Sequence, residues 1–195
     1  MYCFFLEAPM IEWFLKRKYF YPNQYVKTIF DIDFARLKDQ GIQYLLVDLD
    51  NTLIPYDETI ANERIKNLFE SLNNHGFKVL IISNNKEERV KIFSEDLDVQ
   101  YIYSAKKPLK TGFKKAMRIL GYPSHSEVAL IGDQFMTDVY GGNRMGFYTI
   151  VVDAIKRKSE KWYTKFNRRL EQRVLKRLKR TDPSYYQKLK LEEKR

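Results

Sequence analysis

Five short β-rich apolar runs, separated by stretches of helical periodicity, constrain the fold of this chain more than any other feature. The runs lie at residues 44–50 (YLLVDLD), 79–83 (VLIIS), 101–104, 128–132 (VALIG) and 148–152 (YTIVV). Apolar runs of this length suit strands buried on both faces, as in parallel sheets. Between them Ile65, Leu68, Phe69 and Leu72 recur at spacings of three and four, as do Phe113, Ala116, Met117 and Leu120, which marks amphipathic helices. Strand–helix alternation implies βαβ units with right-handed crossovers. The expected fold is therefore α/β: a doubly wound, mostly parallel Rossmann-like sheet flanked by helices.

The 195 residues suffice for one core with extensions. The pattern divides them into an amphipathic helical extension at 1–40, a sheet-forming core at 41–155 and a basic amphipathic helical tail at 156–195. A 44% apolar fraction excludes a disordered chain. Cys3, the single cysteine, excludes an internal disulfide and a thiolate metal cage, and fits a reducing cytoplasm. Glu7, Pro9 and Glu12 interrupt the apolar N-terminus before a membrane span accumulates, and a signal peptide's leading charge is absent. Phe4, Phe5, Leu6, Ile11, Trp13, Phe14 and Leu15 are left to pack on the domain, contact lipid or join a second copy. The sequence sets no oligomeric state.

The net charge of +10 is localised. Residues 156–180 hold twelve Lys or Arg and two Glu, Glu160 and Glu171, a local balance equal to that of the whole chain. Trp162, Phe166, Leu170, Val174 and Leu178 recur every four residues within this block, giving a helix from about residue 160 to 180 with a narrow apolar stripe and a wide cationic face. Such a helix lies on an anionic membrane, binds nucleic acid or docks its stripe on the domain.

Ligands of doubly wound sheets bind beyond the carboxyl ends of the strands, and four polar clusters stand there. In Asp48-Leu49-Asp50 the two carboxylates leave one side of the strand end. Their repulsion calls for a cation or a shared proton, and Mg2+, a hard oxygen-seeking ion, supplies one solution. Helix capping by Asp50 is the alternative. A calcium loop fails, since Leu53 and Thr59 stand where Gly and Glu are needed. Ser83-Asn84-Asn85 offers a hydroxyl and backbone N–H groups for phosphate oxygens, or ordinary turn chemistry. Lys106-Lys107-Pro108 offers a point charge for a phosphoryl group. The fourth cluster is Gly132-Asp133 with Asp138 five positions on, where Asp138 could instead stabilise a helix start.

In this order the clusters resemble the four motifs of the haloacid dehalogenase (HAD) superfamily, over about residues 44–153. The stretches GIQYLLVDLDNTL, the KP pair, GDQFMTDVYGGNR and KFNRRLEQRVLKRLKR resemble the class IIIA branch and its YqeG-type phosphatases, a group related to a mitochondrial phosphatidylglycerophosphate phosphatase. The resemblance implies a Mg2+-dependent phosphomonoester hydrolase. Asp48 would be the nucleophile that forms an aspartyl-phosphate, and Asp50 the general acid and then the base. Ser83, Asn84 and Lys107 would bind the phosphoryl group. The metal ligands would be Asp48, Asp133 and the Asp50 carbonyl, with Asp138 in support. Lys106 is a rival to Lys107, and the neighbouring Pro108 favours Lys107.

Many relatives insert a cap domain between motifs. Here 33 positions separate Asp50 from Ser83 and 24 separate Ser83 from Lys107, enough for a helix with turns and no cap. An open site suits a phosphate carried on something large, which with the basic tail points to a phosphatase held peripherally at the inner face of a membrane, phosphatidylglycerophosphate being the leading substrate. The alternatives are a phosphatase for a soluble or nucleic-acid phosphoester, and an RNA- or ribosome-binding protein with secondary phosphatase activity.

Overall fold

The computed structural model describes residues 17–160 and 162–194, with the side chains of Arg17, Ser159, Trp162 and Tyr163 excepted. The apolar N-terminal residues from Phe4 to Leu15 lie outside the described residues.

Six strands form one sheet: β1 (Gln24–Tyr25), β2 (Tyr44–Val47), β3 (Lys78–Ile82), β4 (Gln100–Ile102), β5 (Val128–Gly132) and β6 (Tyr148–Val151). Every pairing is parallel, in the order β1-β6-β5-β2-β3-β4. The expected α/β sheet is thus present, with β1 added at an edge by the N-terminal segment. That strand is two residues long and carries no apolar run; Asn23 fixes it by accepting from the Thr149 backbone N–H at 2.8 Å.

The pleat sorts the side chains of β2. Leu45 and Val47 face a cluster with Ile65, Phe69 and Leu72 of helix α2 (Glu63–Asn74) and Val90 and Phe93 of helix α3 (Glu87–Asp96). Leu46 faces the opposite cluster with Phe113, Ala116 and Met117 of helix α4 (Lys110–Ile119). A helix precedes β2 as well, α1 (Phe34–Asp39), which buries Leu37. Between Asp50 and Ser83 the one regular helix is α2, and between Ser83 and Lys107 it is α3 followed by β4, so neither gap holds a cap domain.

After β5 the chain makes a π-helical turn (Phe135–Val139) and helix α5 (Tyr140–Met145) before β6. The basic tail forms helix α6 (Trp162–Thr181), and Asp182 caps helix α7 (Pro183–Lys188) through the Tyr185 N–H at 3.1 Å. The tail docks on the domain. Val174, Leu175, Leu178, Tyr186 and Leu191 pack on Phe135, Val139, Tyr140 and Val151 in a third core cluster. Each such side chain contributes roughly 1.5–3 kcal/mol by leaving water.

The stripe differs from expectation at one end: Phe166 is 50% exposed. Four-residue steps on a helix of 3.6 residues per turn drift around the axis, so a stripe that faces the domain at Val174 and Leu178 has turned outward at Phe166. Among the described residues no helix is long and apolar enough to cross a membrane.

Candidate active site

Because every strand is parallel, the segments after β2, β3, β4 and β5 emerge at one edge of the sheet. The chain runs β2-β3-β4 outward on one side and returns to β5 on the other, so the switch point lies between β2 and β5. Asp48 follows β2 and Asp133 follows β5. Both are buried, as are Asp50, Ser83, Lys107 and Asp138, so all four sequence clusters meet here.

Carboxylate oxygens of Asp48, Asp133 and Asp138 lie within 4.8 Å of one another. Lys107 Nζ donates to Asp48 Oδ1 and to Asp138 Oδ1, each at 2.7 Å. Its neighbour Lys106 is exposed. The loop that delivers Lys107 is held in both directions by Asn84: the Lys107 N–H donates to Asn84 Oδ1 at 2.7 Å, and Asn84 Nδ2 donates to the Lys107 carbonyl at 3.0 Å. Asp138 Oδ2 accepts from the Gln134 N–H and from Thr137 Oγ1, both at 3.1 Å, so this carboxylate also anchors the turn after β5.

Asp50 lies outside that cluster. Its Oδ1 accepts from Arg89 Nε at 2.7 Å, and its Oδ2 from Asn85 Nδ2 at 3.1 Å and Ser83 Oγ at 3.3 Å. Helix capping does not explain Asp50, because Asn62 caps α2 by accepting from the Ile65 N–H. Arg89, in the first turn of α3, belongs to no sequence cluster; only its distance of one helical turn from Ser83-Asn84-Asn85 could have pointed to it.

The electrostatics follow from burial. Desolvation pushes the Asp48 carboxyl well above the ordinary aspartate value, against the pull of Lys107 and with help from Asp138, Asp133 and Asp50. Asp138 is raised for the same first reason, again against Lys107. Burial works to lower Lys107, but Asp138 and Asp48 outweigh it and hold the ammonium above its usual range.

These residues fit a hard divalent cation. The donor set is all oxygen, and Asp133 Oδ1 is fully buried with no hydrogen-bond partner among the described residues, a costly state for a carboxylate oxygen that a cation would relieve.

The tail changes the expected openness of the site. A cavity of about 320 Å3 beside the cluster is lined by Asp50, Asn84 and Lys107 on the core side and by Thr164 and Asn167 of α6 on the other. Tyr56 Oη and Thr164 Oγ1, 3.3 Å apart, join the two walls. Arg168 of α6 pairs with Asp133 Oδ2. In the sequence Arg168 is one of twelve basic residues at 156–180, with no spacing that separates it from the others.

A parallel sheet with carboxylates after its two switch-point strands defines an α/β protein with an acidic site where doubly wound sheets bind their ligands. Its sequence matches the family described as Mitochondrial PGP phosphatase over residues 8–156, and the chain belongs to that family. It is 43% identical over 164 residues to a protein of Bacillus subtilis (strain 168) described as "Probable phosphatase YqeG", covering 84% of this chain and 94% of that one. It is 29% identical over 177 residues to the chloroplastic/mitochondrial phosphatidylglycerophosphate phosphatase 1 of Arabidopsis thaliana, covering 83% of this chain and 49% of the relative, so it spans about half the plant protein's length. A solved HAD subfamily III A structure from Legionella pneumophila aligns at 19% identity with a TM-score of 0.45, over 62% of this chain and 71% of that chain. The protein is a phosphatase of this family.

Proposed function

We propose that the protein hydrolyses phosphomonoesters with Mg2+ through an aspartyl-phosphate on Asp48, and that its substrate is a phosphate carried by an anionic lipid. The observation that carries the chemistry is the convergence of Asp48, Asp133 and Asp138 within 4.8 Å, with Lys107 Nζ 2.7 Å from two of them.

Phosphoryl transfer depends on positioning and on neutralising charge at the phosphoryl oxygens. Asp48 attacks phosphorus and releases the alcohol, and water then cleaves the acyl phosphate, which divides one hard step into two easier ones. Asp50, held by Arg89, Asn85 and Ser83, gives its proton to the leaving oxygen and takes one from the attacking water. Ser83, Asn84 and Lys107 bind the phosphoryl oxygens. Asp48, Asp133 and the Asp50 carbonyl would hold Mg2+, with Asp138 supporting the set through Lys107 and Gln134. When bound there, the ion would supply charge neutralisation on the phosphoryl group and would favour the ionised form of the buried Asp48.

The lipid reading draws on two further features. Relatives in the family carry the name phosphatidylglycerophosphate phosphatase. On α6, Lys165, Arg169, Arg173, Lys176 and Arg180 are exposed at helical spacing beside exposed Phe166, on the same helix as the cavity-lining Thr164 and Asn167. Basic residues at an anionic surface contribute about 1 kcal/mol each, and an exposed aromatic ring adds apolar contact. On this reading the protein sits peripherally on the membrane, with the cavity opening beside it.

A panel of phosphoesters, including phosphatidylglycerophosphate in anionic vesicles, tests the proposal. Phosphate release from the lipid well above that from soluble esters supports it; turnover of soluble or nucleic-acid esters alone removes the lipid claim. Vesicle co-sedimentation against an RNA gel shift, each across a salt series, separates a lipid surface from nucleic acid as the partner of the basic face.

A further inference from the structure

The family match ends at residue 156, yet the tail reaches the candidate metal site through a buried charge network. Arg168 Nη1 donates to the Asp133 carbonyl at 2.9 Å, and Nη2 pairs with Asp133 Oδ2. The same guanidinium donates through Nε and Nη2 to Glu160 Oε1 at 3.1 and 2.9 Å, and through Nη1 to Glu171 Oε2 at 3.0 Å. Glu160 Oε1 also accepts from Asn51 Nδ2 at 3.2 Å. The path Asn51–Glu160–Arg168–Asp133 therefore ties the loop carrying Asp48 and Asp50 to the loop carrying Asp133. Lys194 closes the far side, its Nζ donating to the Val152 carbonyl at 2.6 Å and lying 3.7 Å from Glu171 Oε1.

We infer that Arg168 is a positioning residue for cation binding: it fixes the Asp133 carboxylate by one oxygen and leaves the other for the ion. Three observations carry this inference. Arg168 takes Oδ2, and Oδ1 is the buried oxygen with no hydrogen-bond partner among the described residues. The arginine meets Asp133 at both its side chain and its backbone carbonyl, which restrains the rotamer and the loop together. A cation beside a metal ligand would repel the metal if its charge stood alone, but Glu160 and Glu171 pair with Arg168 away from the cluster. Partners that orient a ligand in this way are commonly worth about 10- to 100-fold in metal affinity. The inference rests on the proposed cation site and adds to it a determinant outside the family match.

The test compares the full-length protein with Arg168→Gln, Arg168→Lys, Glu171→Gln and Asp133→Asn. Mg2+ binding is read by calorimetry and by the Mg2+-induced rise in melting temperature, alongside the Mg2+ concentration for half-maximal phosphate release. Arg168→Gln should weaken Mg2+ binding about 10-fold or more, with activity largely recovered at saturating Mg2+. Arg168→Lys keeps the charge and loses the two-pronged geometry, so it should fall between Arg168→Gln and the unaltered protein. If Arg168→Gln does not fold, Glu171→Gln carries the test: it touches Arg168 but not Asp133, and about a threefold weakening is expected. Unchanged Mg2+ affinity in a folded Arg168→Gln, or in Glu171→Gln where only that variant folds, overturns the inference. Asp133→Asn separates the two readings. If it keeps the Mg2+ response, the cation site itself is wrong; if it loses the response while Arg168→Gln does not, only the role of Arg168 fails.

Discussion

The Asp138 carboxylate lies so close over Gly132 that a Cβ at position 132 would fall 2.3 Å from Asp138 Cγ. Gly132 ends β5, and Asp138 Oδ1 carries one of the two short contacts to Lys107. The absent side chain at 132 is thus what lets Asp138 reach the site.

Gly132→Ala should therefore damage the site more than its size suggests. Overpacking of a buried position costs typically 1–3 kcal/mol, and here the displaced atoms belong to Asp138. We expect a lower melting temperature and at least about a 10-fold loss of phosphate release, the rate equivalent of 1.4 kcal/mol. Near-normal activity would show that Asp138 can withdraw without consequence.

The two neighbouring lysines should behave oppositely. Lys107→Ala removes the cation between Asp48 and Asp138 and should lower turnover about 100-fold or more, the scale of losing one preorganised transition-state contact. It should also lower the metal-free melting temperature, because two buried carboxylates lose their partner. Lys106→Ala changes an exposed side chain and should stay within about 0.5 kcal/mol in stability. Equal losses of turnover in the two variants would contradict the assignment of Lys107.

Much of this arrangement is legible in the sequence because strand ends are marked by chemistry as well as by periodicity. The change from apolar to acidic marks where strands give way to the candidate site at Gly132-Asp133 and near Asp48, although β2 ends at Val47, three residues before the end of the run read from the sequence. The parallel register then brings Ser83 and Lys107 to the same edge. Arg89 and Arg168 are not legible, since each acts through contacts made only by folding, and arginines on helices carry no spacing signal. Phe166 leaves the face that Val174 and Leu178 bury, because a four-residue repeat looks like one face over two turns and rotates off it over longer stretches.

Metal-free stability should depend on pH in a specified direction. Burial raises the Asp48 and Asp138 carboxyls above their ordinary 3.8, although Lys107 opposes the rise. A group raised in the folded state contributes stability that is complete below its unfolded value and is lost as pH climbs through its folded value. With chelator present, the contribution of this pair should fall as pH rises above about 4. Mg2+ binds the ionised carboxylates, so its stabilising effect should grow over the same range, reaching about 2.7 kcal/mol at 100 times its dissociation constant. Melting curves with and without Mg2+ across this range check the sign. A Mg2+ effect independent of pH would contradict the assigned ligands.

The most direct test is to incubate the protein and its Asp48→Asn variant with a hydrolysable phosphomonoester and Mg2+, quench in acid and locate covalent phosphate by peptide mass. The account predicts an acyl phosphate on Asp48 in the unaltered protein, and no adduct and no phosphate release in the folded variant. Undiminished turnover by Asp48→Asn, or a phosphorylated peptide lacking residue 48, would contradict it.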